Sequence, residues 1–202
     1  MKFKKNIFFL SGKKGGFTAI LPLLKLINEK KEHNIRVILT DQHVNKKFGD
    51  TYKICKKEIG NKNSKTINLN YFKDTPLERL KGMSKLIIEL GKIFKKNNCH
   101  LLIVYGDRLE SLIACNVAIN FKIPICHFQG GDVTGNIDEK IRHSITKLSD
   151  LHLVSNNISK KRVLKMGENK NRVFNIGDSH LDPIKKINFS KKELNKVKKK
   201  YK

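Results

Sequence analysis

Tryptophan is absent from the 202 residues, acids are few, and apolar runs are short. Each lack narrows the field. Without a stretch of ~18 apolar residues, no membrane-spanning helix is expected. Ile7-Phe8-Phe9-Leu10 is too short for a secretory core and meets Ser11-Gly12-Lys13-Lys14 at once, so no signal peptide is expected either. Cys55, Cys99, Cys115 and Cys126 show no CxxC spacing, and three of them lie in or beside apolar runs. That pattern argues against a disulfide framework and for buried, reduced thiols in a cytoplasmic protein. No His, Cys and carboxylate set has zinc spacing, so no metal is expected. The GxGxxG and GxxxxGK[ST] phosphate cradles are also missing. Asp41 ends the second expected strand, where a dinucleotide enzyme would hold a ribose hydroxyl. Without the glycine fingerprint, that reading is disfavoured.

What is present in excess is lysine. There are 43 basic residues against 18 acidic ones, a formal charge of +25. A hydrophobic fraction of 39% still supplies a core for one domain or one large lobe. The charge invites a nucleic-acid reading. Yet 37 of the basic residues are Lys and six are Arg, whereas base-edge and phosphate recognition favours the planar guanidinium. Residues 101–158 hold six acids and five basic residues, so the excess lies on the flanks and tail. A solvated Lys-rich surface accounts for it, and no specific nucleic-acid partner is expected. The alternative, a nonspecific polyanion binder, predicts affinity that falls steeply with salt.

Strand-like and helix-like patterns alternate along the chain. Strands are expected at Asn6–Ser11, Ile35–Thr40, Thr66–Asn70 (weak), Leu101–Tyr105, Ile123–Phe128, Leu151–Ser155 and Arg172–Ile176. Helices are expected near Thr18–Lys30, through Phe48–Glu58, over Leu77–Lys96, Leu109–Asn120 and Ile137–Leu148, and near Lys160–Met166. In the third of these, Leu80, Met83, Ile87, Leu90 and Phe94 recur at helical spacing. Apolar strands separated by amphipathic helices indicate βαβ units, hence an α/β, doubly wound parallel sheet. Ligands bind such sheets beyond the carboxyl ends of the strands. The places to search are Gly12–Gly16, Asp41–His43, Gly106–Arg108 and Gln129–Asp138. Ser190–Lys202 reads as a Lys-rich helix or frayed tail.

Asp107 can cap the helix after the fourth strand, with Glu110 completing a capping box, or it can face a ligand. Gln129-Gly130-Gly131-Asp132 follows a strand, and adjacent glycines permit close backbone approach. Asn136 can cap the next helix, whose expected buried stripe is Ile137, Ile141, Ile145 and Leu148. Asp138 and Arg142 lie four apart on one helical face. That pair is either an exposed ion pair or a proton-transferring carboxylate beside a fixed cation. His127 reads as a strand histidine with a satisfied ring, and His143 can point away from Arg142.

The string YGDRLESLIACNVAINFKIPICHFQGGDVTGNIDEKIRHSITKLSDLHLVSN, continued by RVLKMGENKNRVFNIGDSHLD, resembles the UDP-N-acetylglucosamine 2-epimerase family, especially its hydrolysing branch. GDRxE, HxxGGxxT, IDExIRHSITK, MGE and GxxxxD recur in order, and the likeness runs from Lys5 to about Lys186. It implies the Rossmann-like N-terminal lobe of a two-lobed, glycosyltransferase-B-like enzyme. Residues 1–187 would form that lobe and 188–202 a tail or the start of a linker. The implied reaction eliminates UDP from UDP-GlcNAc or a related bacillosamine-type sugar and adds water, giving N-acetylmannosamine for sialic-acid synthesis. Asp107, Asp138 and Arg142 match the family's active-site positions, with His43 a looser match. Lys14, Arg108, Gln129, Gly130, Gly131 and His143 are the implied substrate contacts. No cofactor is implied. Gln129 stands where catalytic members commonly carry an acid, and Lys14 where relatives carry Arg. The chain is expected to be such an N-terminal lobe, either truncated or one half of a split enzyme that needs a second-lobe polypeptide or another copy, with a non-catalytic sugar-nucleotide-binding relic as the alternative reading.

Overall fold

A computed structural model describes residues 4–70, 75–182 and 190–200. Seven parallel strands form one sheet in the order β3-β2-β1-β4-β5-β6-β7. In chain order these are β1 (Asn6–Ser11), β2 (Asn34–Thr40), β3 (Ser64–Ile67), β4 (Leu101–Tyr105), β5 (Ile125–Phe128), β6 (Leu151–Val154) and β7 (Val173–Asn175). The connecting helices are α1 (Lys14–Lys30), α2 (Tyr52–Ile59), α3 (Pro76–Asn97), α4 (Leu109–Asn120), α5 (Ile137–Leu148) and α6 (Asn157–Lys165), with α7 (Lys191–Lys200) near the end.

The central strands are apolar throughout because both faces are covered. Phe8 and Leu10 of β1 join Leu102 and Val104 of β4 in one core cluster, beneath Leu86, Leu90 and Phe94 of α3 and Ala114 of α4. Their neighbours Ile7, Phe9, Ile103 and Tyr105 point the other way, toward Phe17, Ile20 and Leu24 of α1. The four cysteines are buried and unpaired. Burial at these sites raises each thiol to about 12, which keeps them protonated and inert.

Several boundaries differ from the sequence expectation. Helix α1 starts at Lys14 rather than near Thr18, so Gly15 and Gly16 form its first turn and not a loop. The expected helix through Phe48–Glu58 starts later, as α2, and short 3₁₀ turns at Asp41–Val44 and Lys46–Phe48 precede it. Helix α3 is rotated relative to the expected stripe: Met83, Leu86, Leu90, Ile93 and Phe94 are buried, whereas Leu80 and Ile87 are 62% and 41% exposed. Residues 83, 86, 90 and 93 repeat every three to four positions, and the sheet lies under that line. On α5 the buried positions are Arg142, Ile145 and Thr146, while Ile137 is 64% exposed. The expected boundary at 187/188 lies outside the described residues. Among the described residues, no helix is long and apolar enough to cross a membrane.

Strand order sets where a ligand can enter. The chain builds β1, β2 and β3 outward, then returns to place β4 on the other side of β1. The loops after β1 and β4 therefore diverge and leave a crevice at their carboxyl ends, the switch point of a doubly wound sheet.

Candidate active site

A cleft of about 200 Å³ occupies that switch point. The end of β1 and the start of α1 form one wall, from Leu10 to Gly16. Tyr105, Gly106, Asp107, Arg108 and Ser111 form the other, and Gln129 and His180 close the side. Gly16 packs closely here: a Cβ would stand 3.2 Å from the Tyr105 ring, which would have to give by a few tenths of an ångström.

Asp107 lies at the carboxyl end of β4 and does not cap α4, whose N-cap is Arg108. One oxygen of its carboxylate, Oδ2, accepts from the Arg142 guanidinium. The Arg142 side chain is 7% exposed and that of Asp107 19%. Arg142 also donates to the Asp132 carbonyl at 3.0 Å. The peptide before Asp107 is fixed from below: His127 Nε2 lies 2.8 Å from the Gly106 carbonyl, its ring wholly buried in β5.

Arg108 carries a second charged group. Its Nε and Nη2 reach both oxygens of Glu110 at 3.0 and 3.1 Å, and Nη2 also meets Asp41. Glu110 thus serves Arg108 rather than a capping box. Burial, followed by the negative charge of Glu110, pushes Asp41 up to about 6.

The expected pair Asp138–Arg142 does not form. Asp138 sits one turn ahead of Arg142 on α5, outside the residues lining the cleft, and among the described residues its carboxylate has no partner. Asn136 does cap α5, accepting from the Asp138 amide at 3.0 Å. Glu139 reaches further back, accepting from the Thr134 and Gly135 amides at 3.1 and 2.9 Å. His143 lies 3.8 Å from Glu139 and also stands outside the cleft.

Four more expected contacts are placed elsewhere. Lys14 is exposed at the head of α1, and Lys13 lines the cleft in its stead. His43 is fully buried behind the wall. Its Nε2 lies 2.9 Å from Ser11 Oγ and its Nδ1 2.8 Å from Thr51 Oγ1. Since Ser11 Oγ donates to the Lys13 carbonyl, the consistent tautomer carries the proton on Nε2, and His43 braces the β1–α1 turn. Gly130 and Gly131 face helices, not the cleft. A Cβ at Gly130 would meet Thr146 Oγ1 at 2.9 Å, and one at Gly131 (φ +82°) would meet the Ser159 carbonyl at 2.6 Å. Gly131→Ala therefore combines backbone strain with a clash against a fixed carbonyl, about 2–5 kcal/mol of lost stability. Gly15 has nothing within 4 Å of its Cβ position and lies in the first turn of α1. Gly15→Ala should stabilise by about 0.5–1 kcal/mol. Urea unfolding of the two variants checks both signs.

Sequence reasoning missed Asp178 and His180, which follow β7. His180 Nδ1 lies 3.1 Å from both Tyr105 Oη and Asp178 Oδ1, and its Nε2 is 3.2 Å from the Gly15 carbonyl. Gln129, in the left-handed region at φ 57°, donates to Asp178 Oδ1 at 3.3 Å. The available signal was position: the Gly177-Asp178-Ser179-His180 turn leaves a strand at its carboxyl end. Among the described residues, no group of three or more His, Cys, Asp or Glu is placed to hold a metal ion.

The buried imidazoles make stability pH-dependent. Burial pushes His43 down to about 4 and His127 down to about 3. Unfolded, each protonates near pH 6.5, so the unfolded chain binds the extra protons and stability falls as pH drops below that value. Between pH 7.5 and 5.5 the two rings together remove about 2.7 kcal/mol. Asp41, raised to about 6, works in the opposite sense and returns about 0.8 kcal/mol. His152, also buried and pushed down by burial, adds to the loss, so a net loss of at least about 2 kcal/mol is expected from urea unfolding at the two pH values. Equal stability at both would refute the neutral, buried histidines.

The geometry above is a cleft at the switch point of a doubly wound sheet, and comparison with known proteins decides the family. The family model described as UDP-N-acetylglucosamine 2-epimerase matches residues 25–202. The chain belongs to the UDP-N-acetylglucosamine 2-epimerase family. It is 36% identical over 196 residues to the hydrolysing GDP/UDP-N,N'-diacetylbacillosamine 2-epimerase of Campylobacter jejuni, covering 96% of this chain and 50% of that protein. It is 34% identical over 174 residues to the polysialic acid biosynthesis protein P7 of Escherichia coli, covering 86% and 44%. The fold matches the UDP-GlcNAc 2-epimerase of Neisseria meningitidis, solved bound to UDP-GlcNAc, with a TM-score of 0.74 at 20% identity over 96% of this chain and 50% of that one. The chain spans about half the length of the curated relatives it matches.

Proposed function

We propose that this epimerase-family chain is the N-terminal half of a hydrolysing 2-epimerase, acting on UDP-GlcNAc or a related diacetylated nucleotide sugar. In that reaction the C2–H and C1–O bonds of the sugar break, UDP departs, and water then adds to the glycal to give the 2-epimeric free sugar. The C2 proton has no adjacent ketone to acidify it, so a fixed base is needed, and such a group contributes ~10²–10⁴-fold.

The observation that carries this reading is Asp107: a carboxylate on the cleft wall, one oxygen held by Arg142 and the other unbonded among the described residues. Arg142 spends its guanidinium on Asp107 and the Asp132 carbonyl, so its role is to orient the carboxylate. Asp138 is the second proton-handling candidate, one helical turn from Arg142. Lys13 at the cleft mouth suits the departing diphosphate. The names of the C. jejuni relative, a hydrolysing 2-epimerase, and of the UDP-GlcNAc-bound N. meningitidis enzyme support the same chemistry.

A cleft of about 200 Å³ is smaller than the roughly 300–1,000 Å³ that usually encloses a ligand. We infer that a second lobe covers it. The test is UDP release from UDP-GlcNAc by the chain alone and with a second-lobe polypeptide. Turnover is expected with both together, and full turnover by the chain alone would overturn the two-lobe requirement. A non-catalytic, sugar-nucleotide-binding role is favoured by one observation: the Gln129 amide, which cannot act as an acid, is tied to Asp178. It predicts binding without UDP release even when the second lobe is supplied.

A further inference from the structure

A second pocket, of about 220 Å³, opens at the opposite end of the sheet, where β2 and β3 begin. It far exceeds the roughly 10–15 Å³ that one water needs. Phe8, Ile38 and Ile93 from the core give it an apolar floor. Arg36, Lys62, Lys65, Asn63, Ser64 and Asn97 supply the polar rim, and no acid lines it.

Arg36 is the informative member. This chain uses lysine for nearly all its positive charge, and three of its six arginines hold a partner within the fold. Arg108 holds Glu110 and Asp41, Arg142 holds Asp107, and Arg162 holds the Gly131 carbonyl. Arg36 uses one donor, Nη1, on the Lys62 carbonyl at 2.7 Å. Its Nε is buried and has no acceptor. An unmet buried donor costs about 1–3 kcal/mol. The side-on edge of a guanidinium, Nε with Nη2, is the edge that takes an oxyanion through two parallel bonds.

We propose that this pocket is a second binding site, separate from the cleft, for a small molecule with an oxyanion head and an apolar body. The head, carboxylate or phosphate, completes the Arg36 fork beside Lys62 and Lys65, and the body rests on Phe8, Ile38 and Ile93. The site needs neither catalysis nor a second lobe, so its test is independent of the proposed reaction.

Six arginines give few Nε–H signals in a ¹⁵N-correlated NMR spectrum of the whole chain, and the Arg36 signal is the one lost in Arg36→Lys. Titration uses benzoate, acetate and inorganic phosphate as probes. Saturable movement of the Arg36 Nε–H and Ser64 amide signals is expected, with benzoate acting at lower concentration than acetate because of the apolar floor. Arg36→Lys keeps the charge and loses the fork, so the Ser64 response should vanish. Lys65→Gln should weaken binding several-fold, and Arg108→Lys should leave it unchanged. Whichever of acetate and phosphate, neither with an aromatic body, saturates at the lower concentration identifies the head group. A non-saturating drift, or an equal response in Arg36→Lys, would mean diffuse attraction to a lysine-rich surface and would overturn the site.

Discussion

Asp107→Asn is expected to cut UDP release ~10²–10⁴-fold in the enzyme completed by its second lobe, while the lobe stays folded. Asn occupies nearly the same volume, and its carbonyl can still accept from Arg142. What it loses is the ability to take a proton. The surroundings of residue 107 argue for that role over a structural one. Arg142 fixes one carboxylate oxygen, and His127 fixes the preceding peptide through the Gly106 carbonyl at 2.8 Å. Neither occupies the second oxygen, which belongs to a residue lining the cleft. A group positioned so firmly is already oriented when substrate arrives, so little reorganisation remains at the moment of reaction. Sugar-nucleotide affinity, read by titration calorimetry, should change far less than turnover. Retention of UDP release within about threefold of the parent rate would remove Asp107 from the chemistry.

The architecture was legible because the physics that hides a parallel sheet also marks it. Strands covered on both faces must be apolar along their length, so IFFL and LLIVY stand out, and the intervening 3.6-residue periods place the helices. Helix α5 was read to the residue, Ile137–Leu148, because Asn136 provides a cap and Ile145 a buried anchor. The orientation of α3 was not legible: Leu80 and Leu86 are equally apolar, and only the sheet beneath decides which of them is covered.

The site divides along the same line. Asp107 and Arg108 could be found because strand ends are where ligands bind. Their partners could not. Asp107 meets Arg142 across 35 residues and Arg108 meets Asp41 across 67, distances over which spacing carries no signal. Local rules offered nearer substitutes, a capping box for Glu110 and an i,i+4 pair for Asp138. Glu110 was taken by Arg108, two residues before it, and Arg142 by a tertiary partner, because a buried guanidinium needs a carboxylate that its own helix does not bring beneath it. The Gly130-Gly131 pair was misread for a related reason. Sequence cannot distinguish a glycine that admits a ligand from one that admits a helix, and here the visitors are Thr146 and the Ser159 carbonyl.

Arg142→Met is expected to destabilise the lobe by about 3 kcal/mol at neutral pH, the low end of what removing one partner of a buried pair costs. The Asp107 side chain is 19% exposed, so water reaches it in part and limits the penalty. Methionine keeps most of the aliphatic stem of the arginine, and hydrophobic loss is therefore small. The damage comes from leaving Asp107 with no cation and the Asp132 carbonyl without its 3.0 Å donor. If that account is right, the second substitution should repair part of the first. Asp107→Asn in the Arg142→Met background replaces an orphaned charge by a neutral amide, so the double variant should be more stable than Arg142→Met alone. Urea unfolding across the four-member cycle reads the coupling, expected between about 0.5 and 3 kcal/mol. Strict additivity would mean that the two side chains do not stabilise one another, and the orientation of the Asp107 carboxylate would then have to come from the Gly106 peptide and His127 without help from α5.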